Sequence, residues 1–487
     1  MKNKVFVFGI DGAPPELIFD RWLDELPNIK SLIQNGVHAK VNSAIPPSTI
    51  VAWNSMFSGK DTSEIGVFSY TFKDSDGNTK LVSSDNIKCD IIWDILTKQQ
   101  KKTISLFVPL SYPVKPINGI MVSCFLTPSI NSNCTYPESL KNKIKAMKNP
   151  ELFFDVAVGL AGHKGVETSL LIKNTYEMTD MQLALLEELL DKDWDLFIGI
   201  MIGSDRLQHM LWNHFDSTHR NFVKDSEFKD ALKNYYIYLD KRLGTILEKI
   251  KAQDTKNNTN TTIIVASDHG MIKQEGKINI NNWLIQQGYL VLEMPDSSSE
   301  ESAITKIDKP TRFSISFVDF EKSIAYGGGA YNARIYINKK LADKNYEKIR
   351  KEIAKKLMEI KDDQGNAIET KIYFAENIYK NTSTPECPDL TVYFDDLRWA
   401  SNPDLGQNGL YSWKTAIGAD TAGHSRQGIF IMTNNLAKYS AEDLARDKKS
   451  VISKKLDDID IRQICPTILK LLDVDIPKDI EVNAIGD

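Results

Sequence analysis

Cysteine is scarce in this chain. There are five in 487 residues, Cys89, Cys124, Cys134, Cys387 and Cys465. The number is odd and no two form a C-x-x-C pair, so neither a disulfide framework nor a cysteine zinc finger is expected. Long apolar runs are also missing. None reaches the roughly 18 residues that a membrane span needs. Neither sign of charge dominates: 60 Lys and Arg stand against 65 Asp and Glu, for a net charge of −5. That balance speaks against a nucleic-acid scaffold, while leaving room for a small anionic substrate at a local positive centre. The opening "MKNKVFVFGIDG" meets Asp11 after a very short apolar run and shows no A-x-A-like cleavage site, so it reads as a first strand and not as a signal peptide. No internal repeat is present. The expectation is a soluble, cytoplasmic protein acting on a small molecule, with no nucleic-acid polymer and no membrane span.

What is present is enough apolar residue, 42%, for a sizeable core, and length for one large domain with an insertion or for two or three domains. "KVFVFGID", "KTISLFVP", "WDLFIGIMIGSD", "TIIVASD" and "GIFIMT" read as buried strands. "TDMQLALLEELLDK" and "FKDALKNYYIYLDKRLGTILEKIKAQ" place apolar residues at three-and-four spacing, the period of an amphipathic helix. Strands alternating with helices predict an α/β fold, a mainly parallel sheet sandwiched by helices. From Ile272 to Trp413 the character changes. "YNARIYIN", "TKIYFAENIY" and "DLTVYFDD" read as strands and "NYEKIRKEIAKKLMEI" as a helix, with a polar loop from Met294 to Pro310. The division expected is a core over 1–271, an inserted α+β subdomain over 272–413 that shapes the substrate pocket, and a return to the core over 414–487. Tyr326, Tyr331 and Trp413 are candidates in the insertion for stacking on a base or aryl group, with core packing as the alternative for each.

Acids and histidines mark the strand ends. Asp11 closes the first strand, and the carboxyl ends of strands are where open α/β sheets bind ligands. Asp205 follows the run that begins at Trp194, and His209 lies four residues on, so on a helix the two share a face. Asp268 and His269 end "TIIVASDHG", where a carboxylate and an imidazole are costly beside a core unless something binds them. His424 lies in the Gly-containing loop "GADTAGHSRQ". Each has a plainer reading, as helix cap, turn former or surface histidine. Together, three Asp and three His make two sets of three ligands, which suits two divalent metals, each keeping an open position. Among the hydroxyls of "AIPPSTIVAWNSMFSG", Thr49 precedes a helical run, where it is either an N-cap or a nucleophile beside a helix N-terminus able to hold phosphate.

In order and type these residues resemble the alkaline phosphatase superfamily, and within it the type I phosphodiesterase/nucleotide pyrophosphatase family. "PPSTIVAWNSMFSG" is similar to that family's P-P-x-T-x-P-A-W-T-S-x-x-T-G, and "SDRLQHMLWNHFD" to its D-R-x-Q-H-x-x-W segment. The resemblance spans Lys4 to about Thr433. It implies an alkaline-phosphatase-like sheet and two divalent metal ions, Zn2+ or Mn2+. One would be held by Asp205, His209 and His424, the other by Asp11, Asp268 and His269 with Thr49. The implied activity is hydrolysis of phosphodiester or pyrophosphate bonds in a small phosphorylated substrate through a phosphothreonine on Thr49. A phosphomonoesterase or phosphotransferase on the same scaffold is the alternative, and a non-catalytic nucleotide- or metal-binding module a further one.

Overall fold

The structure, a computed structural model, describes residues 1–73, 79–157, 165–293, 311–406, 409–413, 420–434 and 454–486. It divides into two compact units. The first comprises Met1–Phe215, Val223–Met271 and Ser425–Asp487, and the second Asp216–Phe222 and Ile272–His424. The polar stretch 294–310 lies outside the described residues.

The first unit is built on a ten-stranded sheet. Its strands are β1 (Lys2–Ile10), β2 (Val37–Asn42), β3 (Thr103–Leu106), β4 (Gly119–Val122), β5 (Thr135–Tyr136), β6 (Leu196–Met201), β7 (Thr259–Ala266), β8 (Gln427–Thr433), β9 (Lys454–Lys455) and β10 (Ile459–Asp460). The order is β9-β2-β8-β7-β1-β6-β3-β4-β5, with β10 also on β2. The central strands β7, β1, β6, β3 and β4 run parallel, and β8 joins them antiparallel. This is the expected mainly parallel sheet. Its central strands β1, β6 and β7 carry nearly unbroken apolar runs because both faces are covered.

Alternation divides the side chains between those faces. Val5 and Val7 of β1 and Ile198 and Ile200 of β6 pack with Trp53 and Phe57 of helix α1 (Thr49–Ser58) and Ile464 and Ile468 of α5 (Ile464–Leu471). On the other face Phe6 meets Phe197 at 5.5 Å, and Gly199 lies beneath Leu186 of helix α2 (Thr168–Leu189). Helix α2 is tied to α4 (Ala231–Asn257) by a 2.9 Å hydrogen bond between the Thr179 and Tyr235 hydroxyls. Helix α3 (Gly203–Phe215) follows β6 directly.

A long-range cap supports this layer. The helix Pro27–Gln34 has no capping side chain of its own. Instead the buried Asp240 carboxylate, on α4, accepts from the Asn28 and Ile29 N–H groups at 3.1 and 2.8 Å. Asp240→Ala strands those two donors, so a loss of about 2 kcal/mol is expected in urea unfolding.

The second unit has a seven-stranded, largely antiparallel sheet, ordered Ala325–Gly328, Ala333–Ile337, Leu390–Phe394, Trp399–Asn402, Gly276–Asn279 and Tyr411–Ser412, with Thr370–Phe374 also on Leu390–Phe394. The helix Tyr346–Met358 buries Ile353, Ala354 and Leu357 against it. One local expectation changes. "TKIYFAENIY" is a strand only to Phe374, after which Ala375–Ile378 turns helical. There the Glu376 carboxylate accepts from both terminal nitrogens of Arg350 at 2.8 and 2.6 Å, a charged pair that fixes the turn.

Candidate metal centre

Strand register brings the acids together. Ile10 of β1 is level with Met201 of β6, and Gly9 with Ala266 of β7, so the three strands end at one edge. Asp11 leaves β1 there, with its N–H on Met201 O at 3.1 Å. Asp268 and His269 leave β7. Adjacent residues of a strand point to opposite faces, but the chain bends at Asp268 and both side chains are fully buried. Ser267 braces the bend: its hydroxyl bonds His269 O and accepts from the Ala13 N–H at 2.9 Å. One oxygen of Asp268 accepts from the Gly12 N–H at 3.2 Å.

Helix α1 supplies the other wall. Thr49 and Trp53, one turn apart, share a face. The Trp53 indole N–H donates to Asp11 Oδ2 at 2.8 Å, and the Thr49 hydroxyl lies 3.2 Å from His269 Nε2. Gly9 makes room for the indole, since a Cβ there would stand 2.6 Å from Trp53 Cη2. Trp53→Phe keeps an aromatic ring against Phe57 but removes the donor and part of a fully buried indole. The change is expected to lower stability by about 1–3 kcal/mol in chemical unfolding, the cost of leaving a buried carboxylate oxygen unmatched.

His269 presents a lone pair to the site. Its Nδ1 lies 2.9 Å from Gly270 O, and a carbonyl only accepts, so the ring proton sits on Nδ1, and the Nε2 lone pair can ligate a cation or accept the Thr49 hydroxyl hydrogen. Nε2 is 3.2 Å from Asp268 Oδ2 and 3.6 Å from Asp11 Oδ1. Neither of those carboxylate oxygens has a hydrogen-bond partner among the described residues. Asp11, Asp268 and His269 thus offer three buried ligand atoms, all within 4.8 Å of one another. Burial, then the charge of Asp205, pushes the Asp11 carboxyl well above its ordinary range. Burial, then Asp11, does the same to Asp268. One oxygen from each of two converging acids, without a hydrogen-bond partner among the described residues and joined by an imidazole nitrogen, fits a divalent cation of the Zn2+ or Mn2+ type.

Asp205 and His209 stand on α3, where His209 Nε2 is 3.3 Å from Asp205 Oδ1. Ser204 and Gln208 of the same helix bond Asp11 O and Gly12 O at 2.6 and 2.9 Å, which locks α3 to the end of β1. His424 is the last residue of the second unit, buried on the strand Ala422–Ser425, with its ring stacked on Tyr331 at 4.3 Å. Tyr331 therefore packs on a histidine. Tyr326 stacks on Tyr336 at 5.0 Å, and Trp413 stays 43% exposed, with the Arg220 guanidinium 5.2 Å from its ring. Three residues about the site went unread in the sequence: the donor role of Trp53, the Arg206 guanidinium that bonds Asp205 Oδ2 at 3.0 Å, and Asp155, which holds Arg206. The adjacency of Arg206 to Asp205 was a signal for the second; nothing in the sequence points to Asp155.

A mainly parallel α/β sheet with acids and a histidine gathered at its carboxyl edge is the architecture of the alkaline-phosphatase-like hydrolases. The profile of the type I phosphodiesterase/nucleotide pyrophosphatase family matches residues 5–419. The chain belongs to this family and is a hydrolase of the phosphodiesterase class. Solved structures share its fold. One is murine ectonucleotide pyrophosphatase/phosphodiesterase 5 as an inactive threonine-to-alanine variant in complex with AMP, at 12% identity and TM-score 0.54, covering 98% of this chain and 96% of that one. The human protein of the same name has 12% identity and TM-score 0.53, covering 97% and 96%. No curated protein sequence matches.

Proposed function

We propose that the chain hydrolyses phosphodiester or pyrophosphate bonds of nucleotide-type substrates through a covalent phosphothreonine on Thr49, at a site for two divalent cations. The observation that carries this is the convergence of the Thr49 hydroxyl and His269 Nε2 with Asp11 Oδ1 and Asp268 Oδ2, which have no hydrogen-bond partner among the described residues. In this reading Asp11, Asp268 and His269, with Thr49, hold one cation. Asp205 and His209 hold the other. Bound there, such cations supply positive charge for the phosphoryl group and lower the pKa of an adjacent oxygen.

The chain's own groups do the rest. The Thr49 hydroxyl gives up its proton to solvent, and its oxygen forms a bond to phosphorus as the bond to the leaving oxygen breaks; that oxygen takes the electron pair and departs as an alcohol or phosphate, protonated from solvent as its pKa requires. Water then cleaves the phosphothreonine and frees Thr49. The N-terminus of α1 points its dipole at the transferring group, a favourable place for phosphoryl oxygens. Trp53 keeps Asp11 aimed inward throughout. That the murine protein of the same fold was captured with AMP supports a nucleotide-type substrate. The scattered thiols support a cytoplasmic location, which cell fractionation tests.

After loading with Zn2+ or Mn2+, the protein is expected to cleave bis-p-nitrophenyl phosphate and dinucleotides in preference to p-nitrophenyl phosphate. Rapid acid quench followed by peptide mass analysis should find on Thr49 a phosphoryl group that still carries its second ester, p-nitrophenyl or nucleotidyl according to the substrate. A clear preference for the monoester would replace this reading with that of a phosphomonoesterase.

A further inference from the structure

Arg206 is a guanidinium buried between two acids. Its Nε and Nη2 donate to the two oxygens of Asp155, both at 2.9 Å, while Nη1 donates to Asp205 Oδ2 at 3.0 Å. Its side chain is 8% exposed, that of Asp155 12% and that of Asp205 1%. The aromatic ring of Phe125 lies 4.9 Å from the guanidinium carbon. Burying three charged groups is costly, and ion pairing alone seldom offsets it, so a role beyond stability is worth seeking.

The geometry supplies one. A two-pronged Arg–carboxylate pair fixes the plane of the guanidinium, which a long side chain would otherwise leave free to turn. The third donor then holds one oxygen of Asp205 and leaves the other directed at His209 Nε2, 3.3 Å away. Asp155 is itself held from outside α3. Phe153, two residues before it, packs on Phe107 at 5.5 Å, and its carbonyl accepts from Gln182 of α2 at 2.9 Å.

We propose that Asp155 and Arg206 are positioning residues that orient the Asp205 carboxylate for cation binding. The inference rests on the reading of Asp205 and His209 as cation ligands. Partners at this remove from a metal change affinity by about 10- to 100-fold.

A double-mutant cycle on the whole chain, stripped of metal and titrated calorimetrically with Zn2+ and then Mn2+, tests it. Asp155→Asn is expected to weaken binding at one site tenfold or more, but by less than about twofold when Arg206 is already Met. A loss of equal size in both backgrounds would mean that Asp155 acts only through its field, and would overturn the proposal. So would unchanged cation affinity, whether or not KM rises; a raised KM would assign Arg206 to the substrate. Unfolding midpoints without cation check that the variants are folded. Should Asp155→Asn unfold, Asp155→Glu, which keeps the charge and lengthens the arm, runs through the same cycle with the same expectation. Failure of the native protein to bind either ion, or Asp205→Ala binding as native, would remove the underlying reading of the site. Native binding without coupling would remove the positioning role alone.

Discussion

Thr49→Ala is expected to lower kcat on the order of 10^4-fold or more, the scale of losing a nucleophile, equivalent to ~5 kcal/mol of barrier. The fold should be untouched. Thr49 is the first residue of α1, where alanine is a good helix former, and the side-chain contacts at stake are those to His269 Nε2 and to the Tyr70 hydroxyl. Asp11, Asp268 and His269 keep their positions through Trp53, Gly12 and Gly270. Metal content should therefore stay close to native, and the unfolding midpoint should move little. Thr49→Ser restores a hydroxyl without the methyl that limits its rotation, so it should recover part of the rate and still carry the ester-bearing phosphoryl adduct in the quench experiment. Activity in Thr49→Ala equal to native would sink the covalent route and leave direct attack by water.

How much of this was legible beforehand depends on what each residue's neighbours are. The parallel strands declared themselves because β1, β6 and β7 are buried on both faces and so read as unbroken apolar runs. Strand β2, "VHAKVN", did not, since it is half exposed and carries a histidine and a lysine. The acids at the strand ends were visible because their burial conflicts with their charge. Whether Asp268 and His269 could face the same place was not, because that depends on a bend held by the Ser267 hydroxyl and the Ala13 N–H. Trp53 lies in an apolar helical run that marks no polar role. Its donor role exists only because Gly9 lets the indole lie over β1. Asp155 meets Arg206 across 51 residues, a pairing that no local pattern encodes.

Asp268→Asn separates the cation from the fold, because its effects on stability have opposite signs with and without metal. In the cation-free protein Asp268 shares a buried edge with Asp11 and Asp205. Both burial and the charge of Asp11 disfavour its ionised form. A group held that way destabilises the native state at neutral pH, where the unfolded chain ionises it freely. Asparagine still accepts from the Gly12 N–H and removes the charge. Stripped of metal, Asp268→Asn should therefore unfold at higher urea than native, by about 2 kcal/mol. With Zn2+ present the order should reverse. The native chain gains RT ln(1 + [L]/Kd), about 2.7 kcal/mol at a hundredfold excess over Kd, while the variant has lost a ligand oxygen and with it most of that gain. Activity should follow the metal: a chelator should abolish it in the native protein, added Zn2+ or Mn2+ should restore it, and neither ion should restore Asp268→Asn. If Asp268→Asn were less stable than native under both conditions by the same amount, Asp268 would be a structural acceptor for Gly12 and not a cation ligand. The converging oxygens of Asp11 and Asp268 would then need another explanation.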